Sequence, residues 1–121
     1  ELICVFGCGG DRDSGKRREM GRVAGRGADR IVVTSDNPRS EDPAAIAAAI
    51  VTGIRDAGPR KHAIELARAV AIRTAVATAQ GGDIVLVAGK GHEDYQERLG
   101  ERTPFSDAAV ATAALREWRG E

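Results

Sequence analysis

The chain has 121 residues, about the size of one domain. Its 18 Lys and Arg balance 18 Asp and Glu, so it lacks the basic excess of a nucleic-acid or anionic-membrane binder. No apolar run approaches the roughly 20 residues of a membrane span, and with 3% aromatic residues the core must be built from Ala, Val, Ile and Leu.

Residues 2–6 form an apolar run ending in glycines, read as a buried strand with no signal-peptide character. Cys4 and Cys8 are too few for a disulfide framework and fit a reducing, cytoplasmic compartment. Residues 8–14 make a Gly/Asp loop. Met20, Val23, Ala24 and Gly27 then recur at i, i+3, i+4, i+7, predicting a helix over 16–27 with that face inward. Residues 30–34 are β-branched and predict a second strand, followed by a polar loop over 35–42. Asp42-Pro43 starts a helix along which Ile46, Ile50 and Ile54 repeat, and Gly58-Pro59 stops it. Residues 63–66 suit a short strand, 67–79 an Ala-rich helix, and 83–88 the clearest buried strand. The polar stretch 89–104 has room for a short strand near Tyr95 or Arg102, and Ser106 or Asp107 caps a last helix running to Trp118. Strands alternating with helices predict an α/β, Rossmann-like, three-layer fold with a mainly parallel sheet, one domain over 1–121. The chain opens directly in a strand without Met, so a first strand and helix are expected upstream and the domain is expected to be truncated.

Ligands of such sheets sit at the carboxyl ends of the strands, where three loops stand out. Gly10 to Lys16 has P-loop spacing between a strand and a helix, which makes Lys16 a weak nucleotide-binding candidate. Against that reading, Arg17 stands where Ser or Thr should hold Mg²⁺, and Asp11 and Asp13 would repel phosphate. The plainer alternative is a glycine-rich turn capped by Asp13 or Ser14. Arg12, flanked by the two aspartates, is expected to be held by them as a carboxylate grip. In the second loop, Asp36-Asn37-Pro38-Arg39, Arg39 offers a guanidinium fork, while Pro38 restricts Asn37 to extended backbone. The bland alternative is a proline turn before a helix. The third loop, Gly89-Lys90-Gly91-His92-Glu93, exposes backbone groups at its glycines, and Glu93 can accept from an ammonium. There Lys90 has the charge to contact a phosphate but reads more plainly as a surface charge, and His92 reads as a solvated or structural side chain. Two cationic forks and one carboxylate complement a zwitterionic, amino-acid-like ligand. No nucleophile–base pair, triad or metal-ligand spacing accompanies them, so no catalytic residue and no metal site are assigned.

These three motifs, in this order and reaching through Phe105-Ser106-Asp107, resemble the C-terminal domain of the Mur ligase family over nearly the whole chain. In that family Asp-Asn-Pro-Arg accompanies meso-diaminopimelate as the amino acid added, and lysine-adding relatives usually lack the Arg. The resemblance implies a cytoplasmic, three-domain enzyme of peptidoglycan precursor synthesis. It would use ATP and Mg²⁺ to make an acyl phosphate on a UDP-linked dipeptide, which the amine of diaminopimelate attacks. By motif position, Arg12 would hold the carboxylate at the reacting end of diaminopimelate. Asn37 and Arg39, in the Asp36–Pro38 setting, would hold the distal carboxylate, and Gly89 with Glu93 the distal ammonium. ATP, Mg²⁺ and the UDP-linked dipeptide would be bound mainly outside this chain, which alone should not catalyse. Arg18 stands where the family often has Pro. The alternatives are a stand-alone phosphate- or nucleotide-binding module using Gly10 to Lys16, a lysine-adding relative, and a non-enzymatic interaction domain.

Overall fold

A computed structural model describes residues 1–121. The chain runs β1 (Leu2–Phe6), α1 (Gly15–Gly27), β2 (Arg30–Val33), α2 (Pro43–Ala57), β3 (Lys61–Ile64), α3 (Arg68–Thr78), β4 (Ile84–Ala88), β5 (Tyr95–Arg98), β6 (Glu101–Pro104) and α4 (Asp107–Trp118). Four strands form one parallel sheet in the order β3-β2-β1-β4, and β5 and β6 pair separately as an antiparallel hairpin. Alternation along β1 divides the core. Cys4 and Phe6 face a cluster with Ile31, Val33, Ile46, Ile50 and Ile54, whereas Ile3 and Val5 face Ala71, Ile72 and Ala75. Helices therefore cover both faces, giving the three-layer, Rossmann-like architecture expected. The isoleucines of α2 are buried at 3%, 0% and 0% exposure, each contributing about 1.5–3 kcal/mol of transfer free energy. Asp42 caps α2 by accepting from the Ala44 N–H at 3.0 Å, and Ser106 caps α4 by accepting from the Ala109 N–H at 3.1 Å. No helix is long and apolar enough to cross a membrane.

Several sequence expectations are corrected. The buried face of α1 is Arg17, Gly21 and Gly25, not Met20, Val23, Ala24 and Gly27. The reason is close helix packing: a methyl on Gly53 would lie 2.7 Å from the Arg18 carbonyl carbon, and one on Gly21 would lie 3.0 Å from the Ile54 nitrogen. Only glycines let the two backbones approach that far, and this contact outweighs the amphipathic pattern. The displaced face, with Met20 and Val23 exposed, lines an apolar groove of about 570 Å³ together with Leu2, Cys4, Phe6 and Leu86. The strand expected to be most buried, β4, is the edge strand next to β1, and its Ile84 and Leu86 are exposed. The strand expected over 63–66 lies at Lys61–Ile64, and the polar stretch 89–104 contains a complete hairpin rather than a single strand.

Candidate functional site

The connection from β1 to β2 and β3 proceeds one way across the sheet, while β4 lies on the other side of β1. The strand order reverses between β1 and β4, and the loops after β1, β2 and β4 meet at the carboxyl end of that switch point. All three singled-out motifs are therefore brought to one place. The hairpin β5–β6 closes its side, through a bridge between Arg39 and Arg98.

The first and second loops are clamped together. The Gly10 N–H donates to the Asn37 carbonyl at 2.8 Å, and the Asp11 N–H to Glu41 at 2.6 Å. Arg17, buried in the first turn of α1, donates to both oxygens of Glu41 at 3.0 and 2.6 Å and to the Gly9 carbonyl at 3.2 Å. Arg17, and next the Asp11 N–H, hold the Glu41 carboxyl below its ordinary pKa, and Glu41 in turn raises that of Arg17. Gly10 must be glycine because a methyl there would collide with the Pro38 carbonyl. The P-loop reading of Gly10 to Lys16 meets this geometry badly. The N–H groups of Gly10, Asp11 and Gly15 are already taken, by Asn37, Glu41 and Asp13 respectively, so they form no phosphate cradle. Lys16 is exposed beside the apolar groove, and no three His, Cys, Asp or Glu side chains converge to hold a metal.

Arg39 has left-handed backbone (φ 53°), a conformation costing a non-glycine residue about 1–2 kcal/mol. Hairpin contacts hold it there: its N–H donates to the Glu97 carbonyl at 3.1 Å, and its carbonyl accepts from the Leu99 N–H at 2.9 Å. The guanidinium lies over Gly9, where a methyl would come within 2.9 Å of Nη1. Nη1 donates to the Gly10 carbonyl at 2.9 Å, and Nε lies 3.4 Å from Glu97. Nη2 has no protein partner. Arg12 is exposed on the same side. The expectation that Asp11 and Asp13 hold it is corrected: Asp11 accepts from Ser40, Asp13 accepts from the Gly15 N–H, and Arg12 stands free above the loop. Ser14 is the N-cap of α1 but makes no side-chain cap bond.

The third loop supplies the largest departure from expectation. Lys90 is buried, with its side chain at 0% exposure. Its ammonium lies 3.0 Å from Asp36 and 3.7 Å from Glu93, and donates to Asn37 Oδ1 at 3.0 Å and the Tyr95 carbonyl at 2.7 Å. Asn37 Nδ2 donates to Glu93 Oε1 at 3.3 Å. Asp36, Asn37 and Glu93 thus surround one cation, while His92 is exposed. Gly89 (φ 112°) lies at the loop's start, where a methyl would sit 3.7 Å from Asp36. A further buried cation, Arg68, braces the site from beneath. It pairs with both oxygens of Asp107 at 2.7 Å and donates to the Ser35 and Ala88 carbonyls at 3.0 and 3.1 Å, tying the ends of β2 and β4 to α4. Arg68, Glu41 and Glu97 went unmarked in the sequence because nothing local distinguishes them from surface charges.

The joined loops thus carry two guanidinium groups, a carboxylate and the amide of the buried Asn37. Comparison with known proteins gives the family to which the fold belongs. The family described as "Mur ligase, glutamate ligase domain" matches residues 1–91. The chain is 57% identical over 117 residues to the UDP-N-acetylmuramoyl-L-alanyl-D-glutamate–2,6-diaminopimelate ligase of Chromobacterium violaceum, covering 97% of this chain and 23% of that protein. It is 59% identical over 114 residues to the same-named ligase of Acidovorax sp., covering 94% of this chain and 22% of that one. A solved structure of a UDP-N-acetylmuramoyl-L-alanyl-D-glutamate–2,6-diaminopimelate ligase superposes with a TM-score of 0.89 at 47% identity, over 98% of this chain and 24% of that one. The chain spans about a quarter of the length of the relatives it matches.

Proposed function

Because the chain belongs to the Mur ligase family, matching its glutamate ligase domain, we propose that it is the amino-acid-binding, C-terminal domain of an ATP-dependent ligase that adds meso-diaminopimelate to UDP-MurNAc-L-Ala-D-Glu in the cytoplasm. The observation that carries the reading is the grouping of Arg39 Nη2, the Asn37 amide and Glu93 at the switch point. A carboxylate meets the guanidinium and the amide, and an ammonium on the same carbon meets Glu93 and the Gly89 carbonyl. That pattern is one amino-acid headgroup, the distal end of diaminopimelate. Arg12, free and exposed, is placed to take the carboxylate at the other end, leaving the reacting amine directed away from this domain. ATP, bound mainly by the rest of the ligase, would supply the phosphoryl group that activates the dipeptide's carboxylate as an acyl phosphate, releasing ADP, and attack by the amine would release phosphate. This chain's residues bind and orient the amino acid and contribute no proton transfer.

Lysine has the reacting end but no distal carboxylate, so with lysine bound Arg39 would be left without its partner. A charge-assisted bond of this kind is worth roughly 1.5–3 kcal/mol, about 10- to 100-fold in selectivity. The test is Arg39→Ala in the ligase carrying this domain. KM for meso-diaminopimelate should rise by about that factor while the weak use of L-lysine stays as it was. Equal losses for both amino acids, or none for either, would remove the distal-carboxylate assignment.

A further inference from the structure

We propose that Lys90 is a positioning residue for the amino-acid site: its buried ammonium fixes which way the Asn37 amide points and holds the Asp36 and Glu93 carboxylates side by side. The inference rests on the reading of this site as one for an amino-acid headgroup.

Asn37 Oδ1 accepts from Lys90 Nζ at 3.0 Å and from the Glu97 N–H at 2.9 Å. Rotating the amide by half a turn would set its NH2 against these two donors, neither of which can accept. The orientation is therefore dictated by chemistry, and Nδ2 must face Glu93. One Nδ2 hydrogen is used on Glu93 Oε1, and the other remains for a ligand carboxylate. Glu93 Oε1 is occupied in the same way, which leaves Oε2 for a ligand ammonium. Without Lys90, Asn37 would lose one of the two donors holding it. Asp36 and Glu93 would then bring two carboxylates to the site with no cation between them. One of them would then be expected to swing outward, and the complement to a zwitterion would be lost. The Lys90 side chain has no exposure to solvent, and its ammonium is committed to protein groups rather than to a ligand. Its four partners, Asp36, Asn37, Glu93 and the Tyr95 carbonyl, already surround it.

The test is Lys90→Met, which keeps an unbranched apolar stem and removes the ammonium, measured in the ligase carrying this domain beside Arg39→Ala. Positioning predicts that Lys90→Met raises KM for meso-diaminopimelate at least tenfold, with kcat and the KM values for ATP and the UDP-linked dipeptide within about threefold of wild type. If Arg39→Ala raises that KM and folded Lys90→Met does not, the inference falls while the amino-acid site stands. If neither raises it, both fall. Parallel increases in all three KM values would mark Lys90 as a general structural support and overturn the positioning role. Should Lys90→Met not fold, the ammonium ¹⁵N resonance of Lys90 in the wild-type ligase decides. A slowly exchanging signal that shifts with meso-diaminopimelate and not with ATP supports the role, and one that meso-diaminopimelate leaves unmoved overturns it.

Discussion

Gly10→Ala is expected to disable the site through backbone contact alone. A methyl at this position would lie 2.6 Å from the Pro38 carbonyl carbon and 3.3 Å from its Cα, where carbon atoms rest at about 3.5–4.0 Å. The first loop must retreat from the second by about 1 Å, and two bonds span that gap. One is the neutral Gly10 N–H to Asn37 carbonyl bond at 2.8 Å, and the other runs from Arg39 Nη1 to the Gly10 carbonyl at 2.9 Å. Their loss costs about 2–4 kcal/mol, the charged bond contributing the larger share. Urea denaturation should show a lower midpoint with an unchanged slope, and meso-diaminopimelate should bind at least tenfold more weakly because Arg39 has lost its anchor. Gly27→Ala is the control: it stands at the end of α1 with nothing within 4 Å of the added methyl, and should be neutral or stabilising by about 0.4–1 kcal/mol. A Gly10→Ala chain as stable and as tightly binding as wild type would refute the argument that the two loops form one rigid unit.

Arg68→Met removes one partner of a pair whose side chains are 0% and 15% exposed. It should cost about 3 kcal/mol, a large part of a typical domain stability of about 5–15 kcal/mol. A thermal midpoint within a degree or two of wild type would count against Arg68 as the brace under the site. Glu41 contributes a pH dependence of known sign. Its folded pKa is depressed by Arg17 and then by the Asp11 N–H, so its contribution is complete above the unfolded carboxyl pKa and disappears as pH falls through the folded one. Urea midpoints measured from neutral pH downward should therefore fall less steeply for Glu41→Gln than for wild type, and identical acid limbs would contradict this assignment.

The sequence made the layer structure legible because both periodicities were strong. The β1 alternation and the four-residue repeat of Ile46, Ile50 and Ile54 lead directly to the two half-cores. It misjudged α1, where Met20, Val23 and Ala24 form a convincing apolar stripe that the structure leaves at a groove. The contact that decides, Gly21 against Gly53 and Gly25 against Ile54 and Ala57, depends on backbone proximity and leaves no hydrophobic signal. It misjudged β4 for a related reason: an apolar run reports that a strand is apolar, not whether both of its edges are paired. Within the site, the loops were legible as glycine- and charge-rich motifs at strand ends, and the strand order then explains why they meet. The roles of individual charges were less legible. Arg12 reads as held but is free, because Ser40 and the Gly15 N–H occupy Asp11 and Asp13; Lys90 reads as a surface charge but is buried, because Asp36 and Asn37, 54 and 53 residues away, join Glu93 and Tyr95 around it. Sequence spacing carries no record of such pairings.

The central claim is that the joined ends of β1, β2 and β4 bind an amino acid through its distal headgroup. The most direct measurement is a titration of the chain with meso-diaminopimelate and, separately, with L-lysine, followed by backbone amide chemical shifts. The account predicts saturable shifts at Arg12, Asn37, Arg39, Gly89 and Glu93 with meso-diaminopimelate, at concentrations where L-lysine leaves Asn37 and Arg39 unmoved. Equal responses of Asn37 and Arg39 to both amino acids, or saturable shifts confined to another part of the fold, would contradict it.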